Sequence, residues 1–423
     1  MIGRNSSLSC RRGGLLIGAI GIVLSVTLIG YRDAGLEALG DLAQSGDASI
    51  STVRIDADYP GGNIIVERIR GDRVFLRPDL RDTKGWWFYW NFRVRGAAGR
   101  TMTFQFTDRN PIGVRGPAVS TDGGATWSWL GRDSVRDASF VYAFPDHVGE
   151  VRFAFTVPYL QRDLRRFLDR YRSSPHLAVR RLCRSRKRRS VERIHVGSID
   201  REPKHRIVLT ARHHACESMA SFALEGFLES VLAEDELGRW YQQNVEVLAI
   251  PFVDKDGVED GDQGKNRRPH DHNRDYGGKS IYPSVIAIKK FVPAWSQGKL
   301  KVWIDLHCPW IRGGMNEMIY QVGLANTDCW REQQAFGRIL EAVRRGPLVY
   351  ANDLPFGKSW NTQANYGNQM SSTMWAAKLD GIQLVTTIEL PYANVGGQPV
   401  TPASARQFGR DLAKALRRYL EGR

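Results

Sequence analysis

The motif His214-Ala-Cys-Glu217 sets an imidazole and a carboxylate about one helical turn apart, so both can face a single point. That pairing suits two ligands of a metal ion, and equally the polar start of a capped helix. The chain carries its own warning, because His147-Val-Gly-Glu150 repeats the spacing between a turn and a strand, with no helix following. Metal binding is not expected of that second copy. His307 separates the first copy from it. It ends the run Lys301-Val-Trp-Ile-Asp-Leu, far along the chain, where a parallel sheet delivers it to the same edge as His214. Two ligands close in sequence and a third from a distant strand is how a catalytic zinc ion keeps one position open for water. Asp305 suits either an outer partner that orients an imidazole or a solvent-facing strand end.

Between these candidates lie Pro251-Phe-Val-Asp-Lys-Asp-Gly257 and Gly264-Lys-Asn-Arg-Arg-Pro-His-Asp-His-Asn-Arg-Asp-Tyr276. Asn273 beside Arg274 suits capture of a carboxylate, since a planar guanidinium offers two parallel hydrogen bonds. A charged surface loop is the alternative. Glu389 ends the apolar strand pattern Thr386-Thr-Ile-Glu389. A lone glutamate there is ordinarily an edge residue, whereas near a metal ion it can take a proton from an activated water.

The elements that must position these groups alternate. Arg206-Ile-Val-Leu-Thr, Val245-Glu-Val-Leu-Ala-Ile, the run before His307 and Gln383-Leu-Val-Thr-Thr-Ile read as buried strands. Helices are expected over 217–232, 333–345 and 403–422. The first carries Met219, Phe222, Leu224, Phe227, Leu228, Val231 and Leu232 on one broad face. Alternation of this kind makes an α/β domain with a mixed, mainly parallel sheet flanked by helices. Residues 53–158 differ, with short alternating strands separated by Gly, Pro and Asp turns, which predicts an antiparallel β-sandwich. A short amphipathic helix is expected over 159–172. Residues 180–189 hold seven basic side chains in ten, read as a solvated segment between domains or as a patch for an anionic ligand. The expected organisation is a leader at 1–31, a linker at 32–50, the sandwich at 51–160 and the catalytic α/β domain at 161–423.

Arg4, Arg11 and Arg12 precede an uncharged apolar run at 13–31, the pattern of a cleaved signal peptide or a signal-anchor that spans a membrane. Either sends the rest of the chain outside the cytoplasm, to the periplasm, the cell surface or the medium. The net charge of +15 over 423 residues favours acidic partners without choosing among them. Five scattered cysteines with no CxxC pairing argue against both a disulfide framework and a cysteine-rich zinc ribbon.

Taken in order, His213-His-Ala-Cys-Glu217, Asp254-Lys-Asp-Gly257, the segment ending Asn273-Arg-Asp-Tyr276, Asp305-Leu-His307 and Thr387-Ile-Glu-Leu-Pro-Tyr392 resemble the motifs of the zinc metallocarboxypeptidases. The likeness is to the cytosolic-carboxypeptidase-like branch, which also has a β-sandwich ahead of its catalytic domain. Pro60-Gly-Gly-Asn63, Arg81-Asp-Thr-Lys-Gly-Trp-Trp-Phe-Tyr89 and Pro158-Tyr159 resemble that branch's motifs there. The resemblance implies His214, Glu217 and His307 on one zinc ion, with Glu389 as general base and then acid. It implies Asn273 and Arg274 on the substrate's terminal carboxylate, Tyr366 capping the substrate, and Arg267 or its neighbour Arg268 polarising the scissile carbonyl. Thr373 falls near the floor of the implied specificity pocket. Met370 and Met374 depart from the family's usual small or acidic residues, and Cys216 and Cys308 beside ligands are unusual, as inert buried thiols or as metal or redox groups.

The implied partner is the C-terminus of a peptide or protein, with an acidic one suited to the charge. No specific nucleic acid is expected, and membrane contact is expected only through 13–31. Two rivals to a peptidase acting on a C-terminal peptide or isopeptide bond stand at this point. One is a zinc amidohydrolase on peptidoglycan stem peptides or N-acyl amino acids; the other is a catalytically silent binding protein.

Overall fold

The computed structural model describes residues 52–422. The expected leader and linker at 1–50 lie outside the described residues. Among those described, no helix is long and apolar enough to cross a membrane.

Two five-stranded sheets occupy the first part of the chain. One runs, in spatial order, Arg54–Asp56, Asn91–Arg95, Glu150–Ala154, Ala118–Ser120 and Ser128–Trp129; the other runs Ile65–Arg70, Arg73–Arg77, Thr101–Phe106, Ser139–Ala143 and Val135–Arg136. Alternation along Thr101–Phe106 buries Met102, Phe104 and Phe106, as a strand period of two requires. Phe104 and Phe140 of one sheet meet Phe92 and Phe153 of the other, with ring centroids 5.2 to 5.5 Å apart. This is a sandwich core. Its pairings are antiparallel except between Arg73–Arg77 and Thr101–Phe106, which run parallel.

The third large sheet has eight strands, in the order Leu177–Arg184, Ser190–Gly197, Val245–Ile250, His205–Ala211, Leu300–His307, Leu384–Glu389, Ile319–Val322 and Tyr350–Leu354. Its four middle strands, from Val245–Ile250 to Leu384–Glu389, are parallel. They are buried along almost their whole length, which is why each reads as a continuous apolar run. Helix Ser218–Leu232 is also buried on nearly every side. It crosses helix Pro402–Glu421 at two glycines: a Cβ on Gly226 would stand 1.9 Å from the Arg406 carbonyl oxygen, and one on Gly409 would stand 1.9 Å from that of Ala223.

Two expectations need correction. Residues 180–189 do not connect domains; they belong to the antiparallel edge pair Leu177–Arg184 and Ser190–Gly197 and the turn joining it. Leu182 and Cys183 pack inward while Arg180, Arg181, Arg184, Arg186, Lys187 and Arg188 are exposed. The helix expected at 333–345 is Thr327–Val343, starting earlier because the Asn326 side chain accepts the Asp328 and Cys329 N–H groups.

The sandwich is bonded directly to the loops after the central strands. Gln263 Oε1 accepts from the Phe88 and Tyr89 N–H groups, and Asn63 Nδ2 donates to the Gly261 carbonyl.

Candidate functional site

Strand His205–Ala211 stops where Arg212 turns left-handed, φ 59°, and throws His213 and His214 beyond the sheet edge. Arg212 holds that turn from inside. Its buried guanidinium donates to the carbonyls of Ala215 and Tyr159 and to Ser221 Oγ. Glu217 follows as the N-terminal boundary of helix Ser218–Leu232, and His307 ends Leu300–His307, the strand paired directly and in parallel with His205–Ala211.

These three side chains converge. His214 Nδ1 lies 2.8 Å from Glu217 Oε1, His307 Nδ1 lies 2.8 Å from Glu217 Oε2, and the two Nδ1 atoms are 3.1 Å apart. All three residues are buried. Glu217 Oε2 nevertheless finds no donor in hydrogen-bond geometry. Two imidazole nitrogens and a carboxylate aimed at one point, with a buried oxygen unsatisfied, fit a shared cation better than they fit one another. The donor set, two nitrogens and one oxygen, is of the kind a divalent metal takes.

A second cluster, His213, Asp305 and His307, also has metal-ligand spacing. Its hydrogen bonding is already complete. His213 Nδ1 and His307 Nε2 each lie 2.8 Å from an Asp305 oxygen, while Thr210 and Ser372 hydroxyls donate to the same carboxylate. The other ring nitrogen of His213 is 2.8 Å from the Tyr276 hydroxyl. Burial alone would raise the Asp305 carboxyl, yet His213 and His307 hold it well below the usual range. Asp305 therefore faces the outer nitrogen of His307, the kind of arrangement that orients metal-binding histidines. Asp271 faces the outer nitrogen of His214 at 3.7 Å.

Glu389 stands beside this centre, with its Oε2 buried and unbonded. Burial raises its carboxyl above the ordinary range, against the pull of Lys265 and His307. Glu389, His214, Lys265 and Arg274 line one cleft of about 430 Å³, walled by Trp87, Trp310 and others. A larger cavity, about 520 Å³, borders Arg267 as well, but none of the three converging ligands lines it.

The remaining sequence candidates divide. Arg274 is half-buried on the cleft with its guanidinium 4.7 Å from the Tyr366 ring centre, and it makes no ion pair among the described residues. Asn273 is buried behind it, its Oδ1 accepting from the Ser372 N–H. Tyr366 does not open to the cleft as a cap: its hydroxyl donates to Asn361 Oδ1 at 3.1 Å, and its ring supports Arg274. Arg267 is the clearer correction. Its guanidinium is committed to Asp254, Asp82 and Asp262 at 2.6 to 3.1 Å, which leaves no free edge for a carbonyl. Arg268, its alternative, is exposed. Lys265, which carried no sequence signal beyond its charge, places Nζ 3.3 Å from Glu217 Oε1.

His147, of the second HxxE copy, is exposed and stands outside the clusters with metal-ligand spacing. Cys216 is buried between Gln263 and the Tyr392 hydroxyl, and burial pushes its thiol up to about 12. Burial raises Cys308 well above its usual value too. Thiols held protonated are inert neighbours of the site.

No family model matches the chain. It is 24% identical over 287 residues to cytosolic carboxypeptidase 6 of Caenorhabditis elegans, an alignment covering 60% of this chain and 61% of that protein. The chain thus spans less than two thirds of that relative's length. Its fold matches a metallo-carboxypeptidase from Burkholderia cenocepacia, with a TM-score of 0.73 and 19% identity over 88% of this chain and 100% of the other. It also matches a metallo-carboxypeptidase from Pseudomonas aeruginosa, solved with (2-guanidinoethylmercapto)succinic acid, with a TM-score of 0.68 and 20% identity over 87% and 99% of the two chains. The chain is a sequence relative of the cytosolic carboxypeptidases and has the zinc carboxypeptidase-like fold, a mainly parallel sheet flanked by helices after antiparallel sheets.

Proposed function

We propose that this relative of the metallo-carboxypeptidases is itself a zinc-dependent carboxypeptidase, hydrolysing the C-terminal peptide or isopeptide bond of a peptide chain. The observation that carries the reading is the convergence of His214, Glu217 and His307, with Glu389 beside them, on a cleft that also receives Arg274. Two imidazoles and one carboxylate suit zinc and leave a coordination position open. When bound, such an ion lowers the pKa of a water and polarises a carbonyl oxygen.

The chain's own residues do the rest. Arg274, with Asn273 fixing the loop behind it, holds the substrate's terminal carboxylate and so places the last peptide bond over the metal centre. Glu389 takes a proton from the attacking water and returns it to the departing amine. Thr373, which falls near the specificity-pocket floor that the resemblance implies, is buried with its hydroxyl near those of Ser371 and Thr387; a small polar residue there disfavours large apolar end residues. The basic start and apolar run at 13–31 support a location outside the cytoplasm, where peptide ends of cell-wall or secreted chains are within reach.

Purified protein is tested by elemental analysis and by release of end residues from a peptide library, with and without a zinc chelator. One zinc per chain with chelator-sensitive release of single C-terminal residues is expected. A metal-free active protein, or cleavage at internal bonds alone, overturns the reading.

A further inference from the structure

We propose that Lys265 is a catalytic residue, its ammonium holding the oxyanion that forms when water adds to the substrate carbonyl; the proposal rests on the peptidase reading above. Three observations meet on this side chain. Its Nζ lies 3.3 Å from Glu217 Oε1, on the edge of the metal centre. It lines the same cleft as Glu389, with about a quarter of its side chain open, 26%. The arginine two positions on, to which the resemblance assigns this task, is spent on three aspartates.

The backbone explains why Lys265 and not a neighbour reaches in. Gly264 has φ +75°, and a Cβ there would stand 2.1 Å from the Ala215 nitrogen, so only glycine lets the segment lie against the turn that carries His214. Asn266 is left-handed, φ 54°. Its N–H donates to Asp271 Oδ2, its Nδ2 to the Lys84 carbonyl, and its own carbonyl accepts from the Lys84 N–H. Arg267 then ties the segment to Asp82 of the sandwich and to Asp254 and Asp262 of the α/β part. Lys265 is projected into the cleft from a strip pinned on both sides. Arg267 is a positioning residue, a clamp rather than a hand.

The chemistry needs a fixed positive charge at this place. As the water oxygen bonds to the carbonyl carbon, its proton passes to Glu389 and the C=O π pair moves onto the oxygen. Lys265 donates a charge-assisted hydrogen bond to that oxygen. The C–N bond then breaks, the electron pair on nitrogen takes the proton from Glu389, and a carboxyl and an amine leave. A preorganised cation favours the tetrahedral species over the ground-state carbonyl, so its loss falls on kcat more than on KM.

The test uses Lys265→Met, which keeps the stem and removes the charge, and Lys265→Arg, which keeps the charge. Full-length metal-loaded proteins are compared for metal content, kcat and KM on a free-acid peptide, and affinity for a peptide phosphonate and for an uncleaved peptide analogue. For Lys265→Met the expectation is one metal per chain, kcat down by about 10²-fold or more, phosphonate affinity down by a similar factor, and analogue affinity unchanged. Lys265→Arg recovers part of both losses. Loss of metal from Lys265→Met makes Lys265 a neutraliser of Glu217 and overturns the proposal. So does wild-type turnover, or an equal loss of phosphonate and analogue binding. A wild-type protein that cuts no peptide overturns the peptidase reading instead, and phosphonate binding indifferent to Lys265 then overturns this proposal separately.

Discussion

His307 and Glu389 are direct partners in the parallel ladder between Leu300–His307 and Leu384–Glu389. In-register residues of adjacent strands point to the same face, and each is the last residue of its strand. The pairing fixes an imidazole and a carboxylate at neighbouring positions on one ledge, with no flexible loop between them. Burial raises the Glu389 carboxyl there, and one of its oxygens is unbonded.

For Glu389→Gln the expected outcome is unchanged metal content and folding, with kcat lower by at least about 10²-fold, the scale of a lost general base. Steady-state kinetics beside elemental analysis decide it. Near-normal turnover moves the base to another residue.

Asp305 gathers the Thr210 and Ser372 hydroxyls and two imidazoles at full burial. In Asp305→Asn the amide presents an N–H to one of these neighbours, and the outer nitrogen of His307 loses its anionic partner. Metal affinity is expected to fall by about 10- to 100-fold. Competition against a chelator of known affinity measures it. An unchanged affinity means that Asp305 serves folding alone.

What the sequence made legible was the sheet edge. Apolar runs ending in His307 and Glu389, and an HxxE just after a third run, are visible as strings, and a parallel sheet must bring such ends together. The choice between Arg267 and Arg268 was hidden, because what each side chain faces turns on the backbone of a segment with positive φ at Gly264 and Asn266. Composition carries no trace of that sign. The edge pair over 177–197 was hidden by its own arginines, which mask the inward Leu182 and Cys183. Helix Pro283–Ser296 is masked in the sequence by Pro293 inside it, a residue that ordinarily ends helices. Arg212 offered nothing to read, since only the folded turn shows the carbonyls it holds.

Helix packing beneath the site is set by glycine. In Gly226→Ala the new methyl meets the Arg406 carbonyl at 1.9 Å, backbone against backbone, and the crossing of Ser218–Leu232 with Pro402–Glu421 must open. A loss of stability of about 1–3 kcal/mol is expected, the cost of overpacking a close contact. Urea unfolding followed by fluorescence checks it. A midpoint equal to wild type would mean that the helices separate freely.

Arg274 carries the claim that the substrate is held by its end. Its guanidinium sits over the Tyr366 ring at 4.7 Å and has no carboxylate partner among the described residues, although it lines the cleft. A cation so placed, stacked and without a salt bridge among the described residues, is preorganised for an incoming anion. Amidating a peptide's C-terminus removes that anion and leaves the scissile bond unchanged. Cleavage of amidated peptides is therefore expected to be slower by a factor corresponding to about 1.5–3 kcal/mol, the worth of a hydrogen bond to a charged group. Arg274→Lys keeps a charge but loses the planar two-bond geometry, so it is expected to slow cleavage of free-acid peptides as well. The two changes remove one interaction. Applied together, they should cost little more than the larger alone, and a double-mutant cycle on kcat/KM reads this directly. Full additivity would place the terminal carboxylate elsewhere, and equal cleavage of amidated and free-acid peptides by the wild type would make the protein an amidase or endopeptidase on this scaffold.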